Sequence, residues 1–290
     1  RNAMYVGSDA DGFTAENLTV ENSFAYTNGS DQQADALCIV ADKTACVNVR
    51  LVGYQDTLLT DSRVKGADGN YEVTRQYFSK CYITGNVDFI YGSGSSYFDD
   101  CDIVARYTEY KSDGCYTAGR TYASTPYGYV FNNCRFLAEE GVADGAYRMA
   151  RPWGADDSTT FMNCYLGRAI SLETSYGDMS GNLAENARFA EYGSYGPGYT
   201  VNNKRPYLTS AQAAKFKTDT VMGDYDYSAR TATLYGTQQE KPKTDITVVD
   251  KAEVVKNVAV DENAVIKNAA GETVSPGEVS VVIEKAGNSV

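Results

Sequence analysis

The hydrophobic residues of this chain fall into short groups separated by polar corners, and one such group recurs. Its form is Phe, two mostly polar residues, Cys, any residue and a final apolar residue, as in Phe131-Asn-Asn-Cys134-Arg-Phe136. On a straight strand, Phe131 and Phe136 would point to opposite faces. A corner at Asn132-Asn133 lets both point inward, so the pattern predicts short strands joined by polar corners.

Copies of this group follow one another at intervals of 20 to 33 residues, a range typical of solenoid repeats. Two degenerate copies begin at Phe13 and Cys46. The anchor positions of the six copies are Glu16, Val49, Cys81, Cys101, Cys134 and Cys164. Strands rich in Val, Ile, Phe and Tyr, with Asn, Asp and Gly at their corners, predict an all-β fold, a right-handed single-stranded parallel β-helix.

Helical periodicity is nearly absent until Leu208–Phe216, where Thr209 or Ser210 can cap a short helix. We predict that residues 183–225 form an irregular strap over the side of the coil. The β-helix domain is assigned to residues 1–230 and a linker to 231–244. Residues 245–290 contain no aromatic residue and are expected to form part of a second module or a loosely ordered β tail.

Two successive copies of the repeat carry an aspartate at the same place. The segment from Val49 through Gly53 to Asp56 aligns with the segment from Cys81 through Gly85 to Asp88. Equivalent positions of stacked repeats lie about 4.8 Å apart. Two carboxylates that close raise the pKa of one of them, so identical side chains can act as an acid and as a nucleophile. Each could also be a turn-capping acid, but their shared register and the adjacent Gln55 favour catalysis.

The composition narrows the possible chemistry and partners. With 26 Lys and Arg against 38 Asp and Glu, the net charge of −12 disfavours nucleic acid and anionic membranes as partners. The absence of histidine excludes Ser-His-Asp and Cys-His catalysis. No apolar stretch has membrane-spanning length, and no signal peptide is read at Arg1. We expect a soluble protein whose chemistry relies on carboxylates, Arg, Lys or Tyr, without a metal or another cofactor.

Four further side chains are candidates for a site around the aspartates. Gln33 lies one coil before Gln55, on the side where an oxyanion would form, although a polar ladder would also explain it. Arg151 can donate two hydrogen bonds to a carboxylate that must stay ionised and oriented, although it could also form a surface ion pair. Trp153 stands between proline and glycine, which favours a stacking platform over a strand interior. Arg120 is a secondary candidate for the same groove.

Four motifs, in order, give the sequence a resemblance to a known family. They are Gln33-Ala-Asp-Ala-Leu37, Gly53-Tyr-Gln-Asp-Thr-Leu58, Gly85-Asn-Val-Asp-Phe-Ile-Tyr-Gly92 and Arg151-Pro-Trp153. The sequence resembles the pectin methylesterases, or pectinesterases, over roughly residues 10–225. The resemblance implies a secreted carboxylic ester hydrolase that removes methyl groups from methyl-esterified polygalacturonate, the homogalacturonan of pectin, without an obligatory protein partner.

The resemblance also assigns roles to individual residues. It implies that Asp88 is the nucleophile and Asp56 the general acid/base. Gln33 and Gln55 would donate to the oxyanion, and Arg151 would hold Asp88. The groove residues that it implies or leaves as candidates are Trp153, Tyr91, Val87 and Arg120. A disulfide between Cys81 and Cys101 is a further expectation from the family.

Some features depart from the family pattern. The family's earlier Gly-x-Tyr-x-Glu motif would precede Arg1, so we expect an N-terminally truncated domain. Leu59 stands where family members usually carry an aromatic residue, and Tyr91 replaces a usual phenylalanine. Two other functions stay open: a retaining glycosidase, because close carboxylates also suit glycosyl transfer, and a non-catalytic polysaccharide-binding β-helix. A calcium-dependent lyase is disfavoured because no cluster of acids is recognised.

Overall fold

Short parallel strands pass in succession through three sheets, and each circuit adds one coil to a β-helix. The computed structural model describes residues 2–24, 32–65, 70–202 and 205–228. The parallel β-helix predicted from the repeat is confirmed. The linker and second module predicted after residue 230 lie outside the described residues.

The three sheets are built from the following strands. The first contains β1 (Met4–Val6), β4 (Leu37–Ile39), β7 (Leu58–Thr60), β12 (Val87–Gly92), β15 (Gly114–Gly119) and β18 (Tyr147–Ala150). The second contains β2 (Thr14–Glu16), β5 (Thr44–Val47), β10 (Arg75–Ser79), β13 (Ser95–Asp99), β16 (Tyr129–Asn132), β19 (Thr159–Met162) and β21 (Ala190–Tyr192). The third contains β3 (Thr19–Glu21), β6 (Arg50–Val52), β11 (Tyr82–Gly85), β14 (Asp102–Ala105), β17 (Arg135–Ala138) and β20 (Tyr165–Leu166). An antiparallel pair, β8 (Arg63–Lys65) and β9 (Asn70–Glu72), interrupts the circuit between β7 and β10.

The core is a column of stacked side chains inside the coil. Phe78, Phe98, Phe131 and Phe161 lie in register on successive strands of the second sheet. Their ring centroids are 4.7, 4.5 and 5.4 Å apart, with planes within 13° of parallel. Both Phe131 and Phe136 belong to this core, as the corner between them predicts. Asn133 makes that corner with φ of 53°, a left-handed conformation that Asn tolerates well.

The first degenerate copy of the repeat was predicted in the wrong register. Ala15, not Phe13, pairs with Cys46, and Thr19 pairs with Arg50. The anchor of this coil is therefore Leu18 rather than Glu16. Phe13 precedes the strand and packs at the margin of the core, so its aromatic character did not mark the inward position.

The predicted disulfide between Cys81 and Cys101 is not formed, because all seven cysteines are free thiols. The two residues instead form a ladder contact in which the backbone N–H of Cys81 donates to Cys101 Sγ at 3.4 Å. Neighbouring parallel strands hold their side chains side by side at about 4.8 Å, whereas a disulfide needs a Cβ separation near 3.8 Å. Their role as small buried side chains agrees with the sequence analysis.

The predicted strap contains four short helical elements, η1 (Ala184–Asn186), α1 (Ser210–Ala213), η2 (Ala214–Phe216) and α2 (Thr218–Met222). Its segment from Leu208 onward packs on the outer face of the second sheet. Thr209 caps α1 in a reciprocal capping box with Gln212. Val221 and Met222 of α2 share a hydrophobic cluster with Tyr77 and Tyr97 of the sheet. No helix within the described residues is long and apolar enough to cross a membrane.

Candidate active site

Asp56 and Asp88 occupy equivalent positions on adjacent coils of the first sheet, in the register that the alignment predicts. Leu58 pairs with Ile90, two residues beyond each aspartate. The backbone N–H of Asp56 donates to the carbonyl of Val87 at 3.1 Å, which ties the two coils together at this point. Both carboxylates are shielded from solvent, with residue exposures of 6% for Asp56 and 5% for Asp88.

Both aspartates have left-handed backbone conformations, with φ of 66° at Asp56 and 49° at Asp88. Asp and Asn adopt this conformation more readily than other residues that carry a Cβ. The glycine three residues earlier is required by close packing. A Cβ added to Gly85 would lie 2.3 Å from Phe89 Cβ and 2.5 Å from the carbonyl oxygen of Tyr54. The recurring Gly-x-x-Asp therefore has a steric basis.

Arg151 holds Asp88 through a bidentate ion pair. Arg151 Nε donates to Asp88 Oδ1 and Nη2 donates to Oδ2, each at 2.6 Å. Arg151 follows β18 and Asp88 lies on β12, so the guanidinium reaches across the intervening β15. The hydrogen bonds with Asp88 raise the pKa of Arg151. This geometry orients the Asp88 carboxylate, and each of its oxygens retains a second lone-pair site for reaction.

The two glutamines lie on neighbouring coils beside the aspartates. The backbone N–H of Ala34 donates to the carbonyl of Gln55 at 3.2 Å, which places Gln33 next to this rung. Gln33 is exposed and Gln55 is partly buried. Donation by their side-chain amides to an oxyanion stays a prediction.

An aromatic platform lies on the same sheet face. The rings of Tyr91 and Trp153 are 6.0 Å apart between centroids, and the Arg120 guanidinium lies 4.3 Å from the centre of the Trp153 ring. Arg120 Nη2 also pairs with Asp61 Oδ2 at 2.6 Å. Trp153 is partly buried, and its backbone carbonyl accepts from Asn182 Nδ2 at 2.9 Å. The structure thus brings three of the predicted groove residues together.

Val87, the fourth predicted groove residue, is 4% exposed. Its backbone carbonyl contacts the site by accepting the hydrogen bond from the N–H of Asp56. Its side chain offers little surface to a ligand in this structure. A substrate contact by Val87 stays a prediction.

Sequence reasoning missed Asp35, Asp61 and Asn182. Asp35 had a readable signal, because Asp35-Ala-Leu37 repeats the form of Asp56-Thr-Leu58 one short coil earlier. Asp61 and Asn182 had no such signal in the sequence, because their contacts with Arg120 and Trp153 join segments that are distant in sequence.

The arrangement suits acyl transfer by carboxylates. An oriented aspartate lies one strand spacing from a second buried acid, and an aromatic platform lies nearby. Within the described part of the chain, no group of three or more Cys, Asp or Glu side chains is placed to hold a metal ion. The fold and site together define a parallel β-helix protein with paired, buried acids on one sheet face.

Comparison with known proteins specifies the family. The Pectinesterase family model matches residues 2–224. Pectinesterase A of Dickeya dadantii is 36% identical over 253 residues, covering 73% of this chain and 66% of that protein. Because the family match extends over more than half of the chain, the chain belongs to the pectinesterase family. It spans just under two thirds of the length of that relative.

Solved structures agree with this assignment. A pectin methylesterase crystallised with a hexasaccharide is 33% identical, with a TM-score of 0.63 over 73% of this chain and 70% of the other. The pectin methylesterase of Yersinia enterocolitica is 30% identical, with a TM-score of 0.64 over 74% and 75%. The right-handed parallel β-helix predicted from the sequence is the fold of these neighbours.

Proposed function

We propose that this protein hydrolyses the methyl esters of pectin, releasing methanol and leaving galacturonate in the polymer. The observation that carries the proposal is the pair of in-register aspartates, one of them held by Arg151 at 2.6 Å. Family membership supports the same substrate, and a related enzyme has been crystallised with a hexasaccharide. An extracellular location follows from this substrate, which belongs to the plant cell wall.

The proposed first step is acylation of Asp88. One Asp88 oxygen attacks the C6 carbonyl carbon of a methyl-esterified residue, and the side-chain amides of Gln33 and Gln55 stabilise the oxyanion. The bond to the methoxy oxygen breaks as Asp56 transfers its proton to that oxygen, and methanol leaves. An acyl-enzyme anhydride on Asp88 remains, with Asp56 ionised.

Hydrolysis of the anhydride completes the cycle. Asp56 takes a proton from water as the water oxygen attacks the acyl carbon. The bond to Asp88 breaks, which regenerates the ionised nucleophile and a protonated Asp56. The product carboxylic acid gives its proton to solvent, so one ester and one water yield one methanol and one acid.

Methanol release from highly methylated pectin tests the proposal. Asp88→Asn should lower kcat by at least about a thousandfold, because an amide cannot form the anhydride. Asn also tolerates the left-handed backbone at this position, so the fold should persist. Arg151→Lys is the matched variant: it keeps the charge but loses bidentate contact, and we expect a smaller loss of about 10- to 100-fold.

Three results would contradict the proposal. They are no methanol release by the natural sequence, substantial activity in Asp88→Asn, and new reducing ends in place of methanol. The last would indicate glycosidase chemistry. Pectin binding without any turnover would support the non-catalytic alternative.

A further inference from the structure

Asp35 places a third carboxylate in line with the two aspartates of the site, on the coil next to that of Asp56. Leu37 pairs with Leu58, so Asp35 stands opposite Asp56 in the register. Flanking backbone hydrogen bonds fix this position: Ala34 N–H donates to the carbonyl of Gln55 at 3.2 Å and Ala36 N–H to that of Thr57 at 2.8 Å. Asp35 and Asp88 therefore lie one coil on either side of Asp56, at a strand spacing of about 4.8 Å.

The charge of Asp35 is compensated differently from that of its neighbours. Asp88 is paired with Arg151 and Asp61 with Arg120. Asp35 is 6% exposed, and its Oδ1 accepts a hydrogen bond from the Tyr91 hydroxyl at 2.6 Å. Among the described residues, no Lys or Arg side chain forms an ion pair with it.

A phenolic hydrogen bond stabilises a carboxylate without cancelling its charge. Burial raises the pKa of Asp35, and the bond from Tyr91 opposes that rise. When ionised, Asp35 contributes a net negative charge to the site, where the surrounding protein screens it less than water would.

We propose that Asp35 is a specificity-determining residue that disfavours a free carboxylate over a methyl ester in the site. This rests on the proposed function. The substrate group is a neutral ester, whereas the product is a carboxylate whose oxygens carry a negative charge at the same position, beside Asp56. Repulsion by Asp35 would weaken product binding, leave ester binding almost unaffected and direct the protein towards esterified stretches of the polymer.

Equilibrium binding of a demethylated oligogalacturonate hexamer tests this, since the hexamer has no ester to hydrolyse. Trp153 is the only tryptophan in the chain and lies in the platform, so its fluorescence reports binding. Asp35→Asn should bind the hexamer about five- to tenfold more tightly at low ionic strength. The difference should shrink to about twofold or less in about 0.5 M salt.

Two controls separate a local charge effect from other causes. Glu21→Gln removes one negative charge from an exposed position on β3 and should leave hexamer affinity unchanged. A carboxyl-reduced hexamer, neutral and inert, should bind the natural protein and Asp35→Asn equally. Should Asp35→Asn fail to unfold cooperatively, Asp35→Asn/Tyr91→Phe carries the same test without the hydroxyl.

Unchanged hexamer affinity in Asp35→Asn would overturn the inference, as would equal tightening for the neutral hexamer. Neither result bears on methanol release by the natural sequence, so failure of the proposed function remains distinguishable.

Discussion

The buried acids of this β-helix differ in what compensates their charge. Asp88 has a bidentate arginine, and Asp35 has a phenol. Asp157 is fully buried, and its Oδ1 accepts from the hydroxyls of Thr121 and Thr159 at 3.4 Å. Its Oδ2 has no hydrogen-bond partner. Such an acid stabilises the fold best when it is protonated.

Asp157 should make the stability of the protein depend on pH. Burial raises its pKa from 3.8 to about 7, so the folded state retains a proton that the unfolded state has lost between these values. The contribution of Asp157 is fully present below pH 3.8 and is lost as the pH rises through about 7. Asp157→Asn cannot titrate, and its stability relative to the natural protein should therefore increase by up to about 4 kcal/mol from pH 4 to pH 8.

Urea unfolding at the two pH values measures this difference. Glu21→Gln, which alters an exposed acid, should show the same difference from the natural protein at both. A pH-independent effect of Asp157→Asn would show that Asp157 does not titrate in this range.

The corners between the second and third sheets repeat one backbone conformation with different residues. Asn17, Asn48, Lys80, Asp100 and Asn163 all have φ between 53° and 54° at this corner. Lysine is the least suited of these residue types to the left-handed region. Asn48 Nδ2 donates to Asn17 Oδ1 at 2.6 Å, while the buried Oδ1 of Asn48 has no partner.

Lys80→Asn should therefore stabilise the protein by about 0.5–1 kcal/mol. The substitution relieves the unfavourable left-handed backbone conformation of lysine at this corner. It also offers an amide donor to the unpaired Oδ1 of Asn48 on the neighbouring coil. Thermal unfolding measures the gain. Lys80→Ala removes the amine but supplies no amide, so it should give no gain; equal stability of the two variants would argue against the amide ladder.

The strands and corners could be predicted because Phe and Cys recur at fixed positions in each coil. Prediction failed at Phe13, where small Ala15 fills the inward position and the side chain carries no periodic signal. Asp35 was overlooked because its coil is only 21 residues long, against 32 for the next. The contacts that Asp61 and Asn182 make with Arg120 and Trp153 could not be predicted, since they join segments that are distant in sequence.

Across the whole molecule, the cysteines form part of the packing rather than a covalent framework. All seven are buried, and burial raises the pKa of the Cys81, Cys101 and Cys134 thiols far above the ordinary value. Five of them belong to the core inside the coil, and Cys38 and Cys115 are buried outside it, so the reactivity of all seven depends on unfolding.

A thiol-reactive dye should therefore modify none of the seven cysteines rapidly in the native protein and all seven after denaturation without reductant. A count of five reactive thiols in the denatured, unreduced sample would instead indicate a disulfide between Cys81 and Cys101. Reduction before denaturation is the control and should give seven in either case.

The ion pair between Arg151 and Asp88 spans three strands of the first sheet. Because of this span, partial unfolding of the stack can break the ion pair. Repeats of a solenoid contact mainly their neighbours, so heat can open one terminal coil while the others stay folded. Opening the coil of β18 would release Asp88 from its arginine and leave most of the Phe column intact. On the proposed mechanism, activity should then be lost at a temperature set by the last coil of the site, below the temperature at which the β-sheet signal disappears.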